Sequence, residues 1–548
     1  MGDDALTEQV CAELTATSGY QVRVLWSFDA KRHAAFESSA VSFASLDPDI
    51  NASLLAAGVM EAECLLALSS NDGLNLSITL HARNLNPRIR IVLREYIVTL
   101  GMKLEQVLPD CKALSLHSSS AATFAASALD QGCFFALRHP ETIGPLVGFV
   151  RHSARDLHII GLTVGQAEER IFARIIALDI HHHPPSSTII SRNDIVTLFR
   201  SINAFDIPKS EERALHPSNN YQNKNSFRRS LPHRIISAFR RTNPIFRISV
   251  VAGILFFSAS YCYFHFALGK TLTASAFYVV ATMTNVGFGE VQVAQRGTLI
   301  TAGAIIAMLG GIVFTSIFIG YVASALTRAQ WIATQGLRRI RARHHVIICG
   351  GGKLGTAALN LLAVAGKRII VIEPYPDPDL VRRARERDVD LLTGDASKDG
   401  ALDMCNIEGA SAVLALTNSD TTNLEIALGA RARSPEVHLV VRMEEESFAD
   451  ATAGIFGIST FSPATLTAPI FAGLSRFPGT RGRIQYANER YMIGQYVQDA
   501  IMSRPPAEDA ILLCVWRESR LHMIRSLSEV KGADIVLFMT PMVAPALR

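Results

Sequence analysis

No two of the 8 cysteines stand at CxxC spacing; they are scattered at Cys11, Cys64, Cys111, Cys133, Cys262, Cys349, Cys405 and Cys514. That argues against a zinc site and a disulfide framework and suits a reducing cytosol. The opening residues GDDALTEQ carry no apolar run, so no cleavable signal peptide is expected. Charge of one sign is also scarce. The net charge of +4 is too small, and the basic residues too locally clustered, to indicate a nucleic-acid partner. Asp, Glu, Lys and Arg are absent from two long stretches, Ile248 to Leu268 and Thr298 to Leu326.

Those two stretches are the most apolar part of the chain. ISVVAGILFFSASYCYFHFAL is long enough to cross a hydrocarbon core of ~30 Å, and TLITAGAIIAMLGGIVFTSIFIGYVASAL is longer than a crossing needs. Hydrophobic residues make up 49% of the 548, yet 19% are charged. With a mean hydropathy of +0.22, soluble domains joined to a modest membrane portion are expected. Arg228, Arg229, Arg234, Arg240, Arg241 and Arg247 precede the first stretch, and Arg328, Arg338, Arg339, Arg341 and Arg343 follow the second. Only Lys270 and Arg296 lie between them. The positive-inside rule then places both flanks in the cytoplasm of a multi-pass protein of the cell (inner) membrane.

The segment between the spans is too apolar to be a solvated loop. LTASAFYVVATMT, from Leu272, reads as a short re-entrant helix, and TNVGFGE follows it. Irregular backbone at membrane depth survives only where protein buries it or where it lines a water-filled cavity. Gly287 and Gly289 permit backbone angles closed to other residues, so successive carbonyls can face one axis and replace a cation's hydration shell. Span, short helix, glycine-aromatic-glycine loop and second span together resemble the two-transmembrane pore of the potassium channel family, whose filter is TVGYG. The resemblance implies a selectivity filter at Thr284, Asn285, Val286, Gly287, Phe288, Gly289 and Glu290. It further implies a gating hinge at Gly310 and Gly311, potassium as permeant ion, and a homotetramer, since one loop cannot close a ring. Close helix packing is the competing role for the two glycines. Asn285 departs from the family's threonine. Its amide carries donors as well as an acceptor, which puts potassium-over-sodium selectivity in doubt.

After the second span, HVIICGGGKLG sets a strand against Gly350, Gly352 and Gly355 in G-x-G-x-x-G order, a helical stretch follows, and KRIIVIE ends at Glu373. This is the dinucleotide fingerprint in its proper context. The glycines allow a tight turn and close approach of a pyrophosphate to a helix N-terminus, and the acidic residue is placed for a ribose hydroxyl. Lys353, Leu354 and Asp395, in DVDLLTGDAS, complete the expected cofactor-binding set. Further strands at SAVLALTNSD and VHLVVRM alternate with helices, which indicates a parallel sheet. With the pore, this resembles the N-terminal lobe of RCK (TrkA-N) domains. The family implies a cleft for NAD(H) or an adenine nucleotide that acts as a regulatory ligand.

An internal repeat extends the reading to the amino-terminal half. LLALSSNDGLNLSITLHARNLNPRIRIVLRE, from Leu65, matches VLALTNSDTTNLEIALGARARSPEVHLVVRM, from Val413, without a gap. Asp47 pairs with Asp395, Asp72 with Asp420, Asn75 with Asn423, Pro87 with Pro435 and Arg94 with Arg442. The strand expected before the glycine turn is either missing here or lost with a mis-assigned start, Gly2 alone remains of the glycines, and Trp26 replaces the acidic residue. A structural partner with a poor nucleotide site is expected, its sheet exposing an edge unless another element covers it. The sequels to both halves share IG (Gly161, Gly494) and DIV (Asp194, Asp534) and resemble small RCK C-terminal lobes. His181, His182 and His183 precede a Pro-Pro pair and read as a hairpin loop; three adjacent histidines cannot all face one ion from a strand or helix.

The expected fold class is therefore two α/β Rossmann-like lobes, each with a small α+β lobe, plus an α-helical two-transmembrane pore. The boundaries are 1–140 and 150–205 for the first pair, 206–243 for a polar linker and basic juxtamembrane stretch, 244–328 for the pore, and 344–475 and 485–545 for the second pair. The expected function is a ligand-gated, potassium-conducting cation channel regulated by nucleotide, with no catalytic residues and no metal site. The alternatives are a non-selective or sodium-permeable channel, on account of Asn285, and a membrane-bound NAD-binding regulatory subunit or oxidoreductase.

Overall fold

The structure, a computed structural model, describes residues 4–18, 21–26, 40–95, 98–138, 146–179, 181–202, 244–283, 297–334, 340–486, 489–497, 510–517, 520–531 and 534–542. It divides into two units, Met1–Ser218 with Arg339–Arg548, and Asn219–Arg338. The expected linker and juxtamembrane segment, 206–243, lies outside the described residues, as does the expected filter, 284–290.

In the first unit the amino-terminal half runs α1 (Ala5–Ser18), β1 (Val22–Trp26), β2 (Val41–Ser45), α2 (Ile50–Ala56), β3 (Cys64–Ala67), α3 (Asp72–Leu85), β4 (Arg90–Arg94), α4 (Val98–Val107), β5 (Cys111–Leu114) and α5 (Leu116–Leu129). Its small lobe follows as β6 (Cys133–Arg138), β7 (Leu146–Ser153), α6 (Val164–Ile171), β8 (Ala173–Leu178), β9 (His181–His182) and β10 (Ile195–Ser201). The second unit holds α7 (Pro244–Cys262), a π-helical turn at Tyr263–Ala267, α8 (Leu272–Met283) and α9 (Thr298–Thr334). The chain then returns to the first unit with β11 (His345–Cys349), α10 (Lys353–Val364), β12 (Ile369–Glu373), α11 (Pro378–Glu386), β13 (Asp390–Thr393), α12 (Ala401–Met404), β14 (Ala410–Ala415), α13 (Asp420–Arg433), β15 (His438–Arg442), α14 (Glu446–Phe456), β16 (Ser459–Phe461) and α15 (Pro463–Leu474). The last lobe is β17 (Thr480–Tyr486), β18 (Glu489–Val497), β19 (Ile511–Arg517), β20 (Arg520–Met523) and β21 (Ile535–Pro541).

The carboxy-terminal half is a six-stranded sheet in the order β13-β12-β11-β14-β15-β16, parallel throughout. This is a doubly wound sheet whose strand order reverses between β11 and β14. All five residues of β11 are buried, as a central strand covered by helices on both faces requires.

The amino-terminal half repeats that plan with one strand fewer. α3 and α13, and β4 and β15, begin and end at positions the sequence repeat pairs. The sheet, however, is broken in two: β1 pairs with β2, and β3 with β4 and β5, all parallel. No strand among the described residues takes the place that β11 holds in the other half. The halves lock together through α5 against α10 and α1 against α15.

Both small lobes are five-stranded antiparallel sheets of the same order, β6-β7-β10-β8-β9 and β17-β18-β21-β19-β20. They share one core, in which Phe135, Phe149 and Phe199 pack with Ile493, Leu513 and Trp516. Each sheet starts earlier than its expected boundary, at Cys133 and Thr480. The two DIV segments are equivalent: Asp194 accepts from the Ser191 amide at 2.7 Å and Asp534 from the Lys531 amide at 2.8 Å, each just before the last long strand. The two IG segments are not. Gly161 is a turn residue with φ +78°, whereas Gly494 lies within β18 opposite Phe538. The histidine run forms β9, a two-residue hairpin arm on β8.

In the second unit α7 has 19 residues and α9 has 37. Among the described residues no helix is long and apolar enough to cross a membrane. α9 continues past the expected end at Leu326, since Thr327 to Thr334 contain neither glycine nor proline. The helices approach closely where glycines allow it. A Cβ on Gly310 would stand 2.3 Å from the Phe256 ring, and one on Gly303 2.7 Å from Tyr263. Tyr263 donates its hydroxyl to the Ile300 carbonyl at 2.6 Å.

Candidate functional site: the glycine turn of the carboxy-terminal half

The turn after β11 is held by contacts that only glycine allows. Gly350 has φ +104°, in the region closed to most side chains, and donates its N–H to the Ile372 carbonyl at 2.9 Å. A Cβ on Gly355 would stand 1.9 Å from the Gly350 oxygen, so the first turn of α10 lies directly on the loop. Thr356 donates its hydroxyl to the Gly351 carbonyl at 2.9 Å and fixes the same corner.

Gly352 differs from its neighbours. It is the N-cap of α10 and supplies no side-chain cap, and a Cβ there would meet nothing within 4 Å. Space and uncapped helix amides therefore coincide, which is the arrangement that receives an anion. Lys353 is exposed at the same end, whereas the Leu354 side chain is buried and can offer a ligand only its backbone.

Glu373, the last residue of β12, closes the crevice from the second strand. Its carboxylate accepts from the Gly351 amide at 2.6 Å and from the Tyr375 amide at 3.2 Å. It thus already holds the glycine turn while standing at the ribose position of the fingerprint. Asp395, beyond β13, is exposed. The Ser397 backbone amide (2.9 Å) and hydroxyl (2.8 Å) hold its carboxyl below the usual carboxylate range. The structure thus brings Gly350, Gly352, Lys353, Gly355 and Glu373 to one corner and sets Asp395 on the adjoining strand end.

The opposite wall was not assigned from sequence. Asn423 is fully buried; its amide nitrogen donates to the carbonyls of Thr417 (3.1 Å) and Arg442 (3.0 Å), and its oxygen accepts from the Thr417 amide at 2.9 Å. Arg442 donates to Asn418 Oδ1 at 2.7 Å and to Glu444 at 2.8 Å. The loop abuts this wall, since a Cβ on Gly350 would lie 2.9 Å from the Leu416 carbonyl carbon and the Thr417 nitrogen. His117, at the start of α5, is lowered to about 4 by burial and then by the positive charges of Arg442, Lys353 and Arg94. The signal in the sequence was the identity of Asn75 with Asn423 and of Arg94 with Arg442. Asn75 makes the same strap, to the Ser69 and Arg94 carbonyls at 2.8 and 2.9 Å.

The corresponding corner of the amino-terminal half is already occupied. Asp4, the residue before α1, takes the place of Gly352, and its carboxylate pairs with the buried Arg94 guanidinium. It also accepts from the Thr7 amide at 3.4 Å. A carboxylate of the chain itself sits where the other half leaves space.

The TrkA-N domain family matches residues 1–106 and 346–460. Potassium channel protein 1 of Methanocaldococcus jannaschii is 29% identical over 185 residues, 32% of this chain and 54% of that protein. The voltage-gated potassium channel Kch of Escherichia coli is 26% identical over 184 residues, 32% of this chain and 43% of that protein. The chain carries TrkA-N domains and is homologous in part to potassium channel proteins. It spans only about half the length of those two relatives. A solved structure of the GsuK channel superposes with a TM-score of 0.50 at 14% identity, covering 98% of this chain and 75% of that one. At that identity the likeness concerns the fold alone.

Proposed function

We propose that the chain is the subunit of a nucleotide-regulated cation channel of the cell membrane, potassium-conducting, with both flanking regions in the cytoplasm. One observation carries this reading: an open glycine turn on a doubly wound sheet shares a chain with a helix pair bracketing a short apolar helix that leads into VGFG. In the second unit α7 and α9 flank α8, and α8 ends at Met283, directly before the filter-like residues. Ile254, Leu255, Phe257, Ile305, Ile306 and Leu309 are all exposed in the single chain, which fits surfaces meant for lipid or for other copies.

Four copies would set their Val286 to Gly289 carbonyls around one axis, with Thr284, Asn285 and Glu290 at its ends. Gly310 and Gly311 lie on α9, where Gly310 packs against Phe256, so a hinge there has to part that contact. NAD(H) or an adenine nucleotide would place its phosphates at Gly352 and the amino end of α10, and a ribose hydroxyl at Glu373. Such a ligand shifts the gate only by its differential affinity for two arrangements of the domain.

The test is ion flux in liposomes bearing the purified chain, with potassium or sodium and with or without NADH or ADP. Nucleotide-dependent potassium flux is expected, and Asn285→Thr is expected to sharpen the preference for potassium. Absence of flux for both ions in every nucleotide condition would remove the channel reading.

A further inference from the structure

Between β12 and α11 the chain reads Pro374-Tyr375-Pro376-Asp377, and α11 itself opens on Pro378. Each proline fixes its own φ and restricts the residue before it to extended backbone. Tyr375 and Asp377 each precede one, and Asp377 is extended as required (φ −72°, ψ 159°). Both ends of the segment are also tied down. At one end the Glu373 carboxylate accepts from the Tyr375 amide at 3.2 Å. At the other, Asp377 accepts from the Leu380 amide at 2.6 Å, and Leu380 covers Gly351 so closely that a Cβ there would overlap it. Tyr375 is nonetheless 89% exposed, the most exposed aromatic residue of the first unit among the described residues. A single apolar side chain in water is ordinary on a protein surface. This one stands on a fixed backbone, one carboxylate away from the glycine turn.

The groups along the crevice follow the order of the parts of a nucleotide. Gly352 leaves space for a phosphate at the first amides of α10. Glu373 comes next, at the ribose position, and its carboxylate bridges the Gly351 and Tyr375 amides. Tyr375 lies beyond it. Gly394 flanks the same strand end, its amide donating to the Glu373 carbonyl at 3.2 Å, and a Cβ on Gly394 would meet nothing within 4 Å. We propose that Tyr375 is the base platform of this site: its ring stacks on the base of a nucleotide whose phosphate lies at Gly352, beside the open surface of Gly394. The proposal rests on the nucleotide reading of the glycine turn and not on ion conduction. Stacking on an aromatic side chain changes affinity by roughly fivefold to a hundredfold on alanine replacement, and it needs no hydroxyl. A ring with two rotatable bonds on a fixed backbone leaves little to be ordered when the ligand arrives.

The experiment titrates the full chain in detergent, by calorimetry, with ADP and with ribose 5-phosphate, which keeps the sugar and a phosphate but lacks the base. The parent is compared with Tyr375→Ala and Tyr375→Phe; the side chain is exposed, so both variants should melt with the parent. Tyr375→Ala is expected to weaken ADP roughly tenfold and to leave ribose 5-phosphate unchanged, while Tyr375→Phe binds ADP as the parent does. Parental ADP affinity in the alanine variant overturns the proposal and leaves the nucleotide site standing. Equal losses for the two ligands, or a phenylalanine variant as weak as the alanine one, also overturn it, since the ring face is then not what the ligand feels. A parent chain that binds no ADP removes the nucleotide reading and this inference with it.

Discussion

The glycine turn separates two roles that the fingerprint joins, and two alanine substitutions divide them. At Gly355 a methyl group would stand 1.9 Å from the Gly350 oxygen, against an ordinary contact of at least 3.4 Å. Both atoms belong to short-range backbone, so α10 and the loop must part by more than an ångström. Forced separation of this kind costs about 1–3 kcal/mol, or roughly 2–12 °C in melting temperature at ~2–4 °C per kcal/mol. At Gly352 the methyl meets nothing within 4 Å, and φ is −62°. Gly352→Ala meets no clash and should lose only the ~0.5–1 kcal/mol by which alanine caps a helix less well than glycine. Its effect should fall on the ligand. A phosphate drawn onto the α10 amides needs the space the methyl takes, and a penalty of about 1.4 kcal/mol is a tenfold loss of affinity. Thermal melts and calorimetric titration of the full chain in detergent, with NADH and with ADP, read both quantities. Parental affinity in Gly352→Ala would refute close approach of a ligand at this corner, and a parental melt for Gly355→Ala would refute the packing argument.

Replacing Asn423 by alanine removes a buried group that satisfies two carbonyls and one amide; a loss of about 2–4 kcal/mol is expected in denaturant unfolding. Asn75→Ala should cost a similar amount, and a neutral result for either would discount the strap. Acid should weaken the chain as pH falls through the ordinary histidine range. Burial, the first cause in each case, lowers His117 and His438 to about 4 from an ordinary 6.5. Between those values the unfolded state binds more protons, so stability falls with pH, by about 2 kcal/mol for each histidine at pH 5. A melting temperature unchanged from pH 7 to pH 5 would contradict this. Asp130 behaves in a later window. Burial raises its carboxyl, but the His152 hydrogen bond and the Arg200 charge outweigh it and hold the group well below the usual range. Its contribution is lost only as pH drops beneath the unfolded carboxylate value of about 4, so Asp130→Asn should flatten the dependence of melting temperature on pH below pH 4.

The doubly wound half was legible because its signals are local. Glycines demanded by a tight corner, an acidic residue ending the next strand and an ungapped repeat each constrain a few adjacent residues. The exposed edge in the other half was expected, but the division of its sheet into two was not. What escaped depends on pairing at a distance. CFFALR, at Cys133, has the apolar character of one more parallel strand, and only the return through β7 makes it the first strand of an antiparallel lobe. Gly161 and Gly494 share a dipeptide with no shared backbone role. α9 outran its apolar stretch because polarity does not end a helix; glycine, proline or a cap does. Asp4 was unreadable as a substitute for a ligand until Arg94 was seen to reach it.

The crossing of α5 over α10 ties the two halves mechanically. α10 begins at the corner offered to a phosphate, and α5 is the last helix of the half whose own corner is closed by Asp4. Any displacement of α10 would therefore be felt first by α5, through the residues that pack the two helices together.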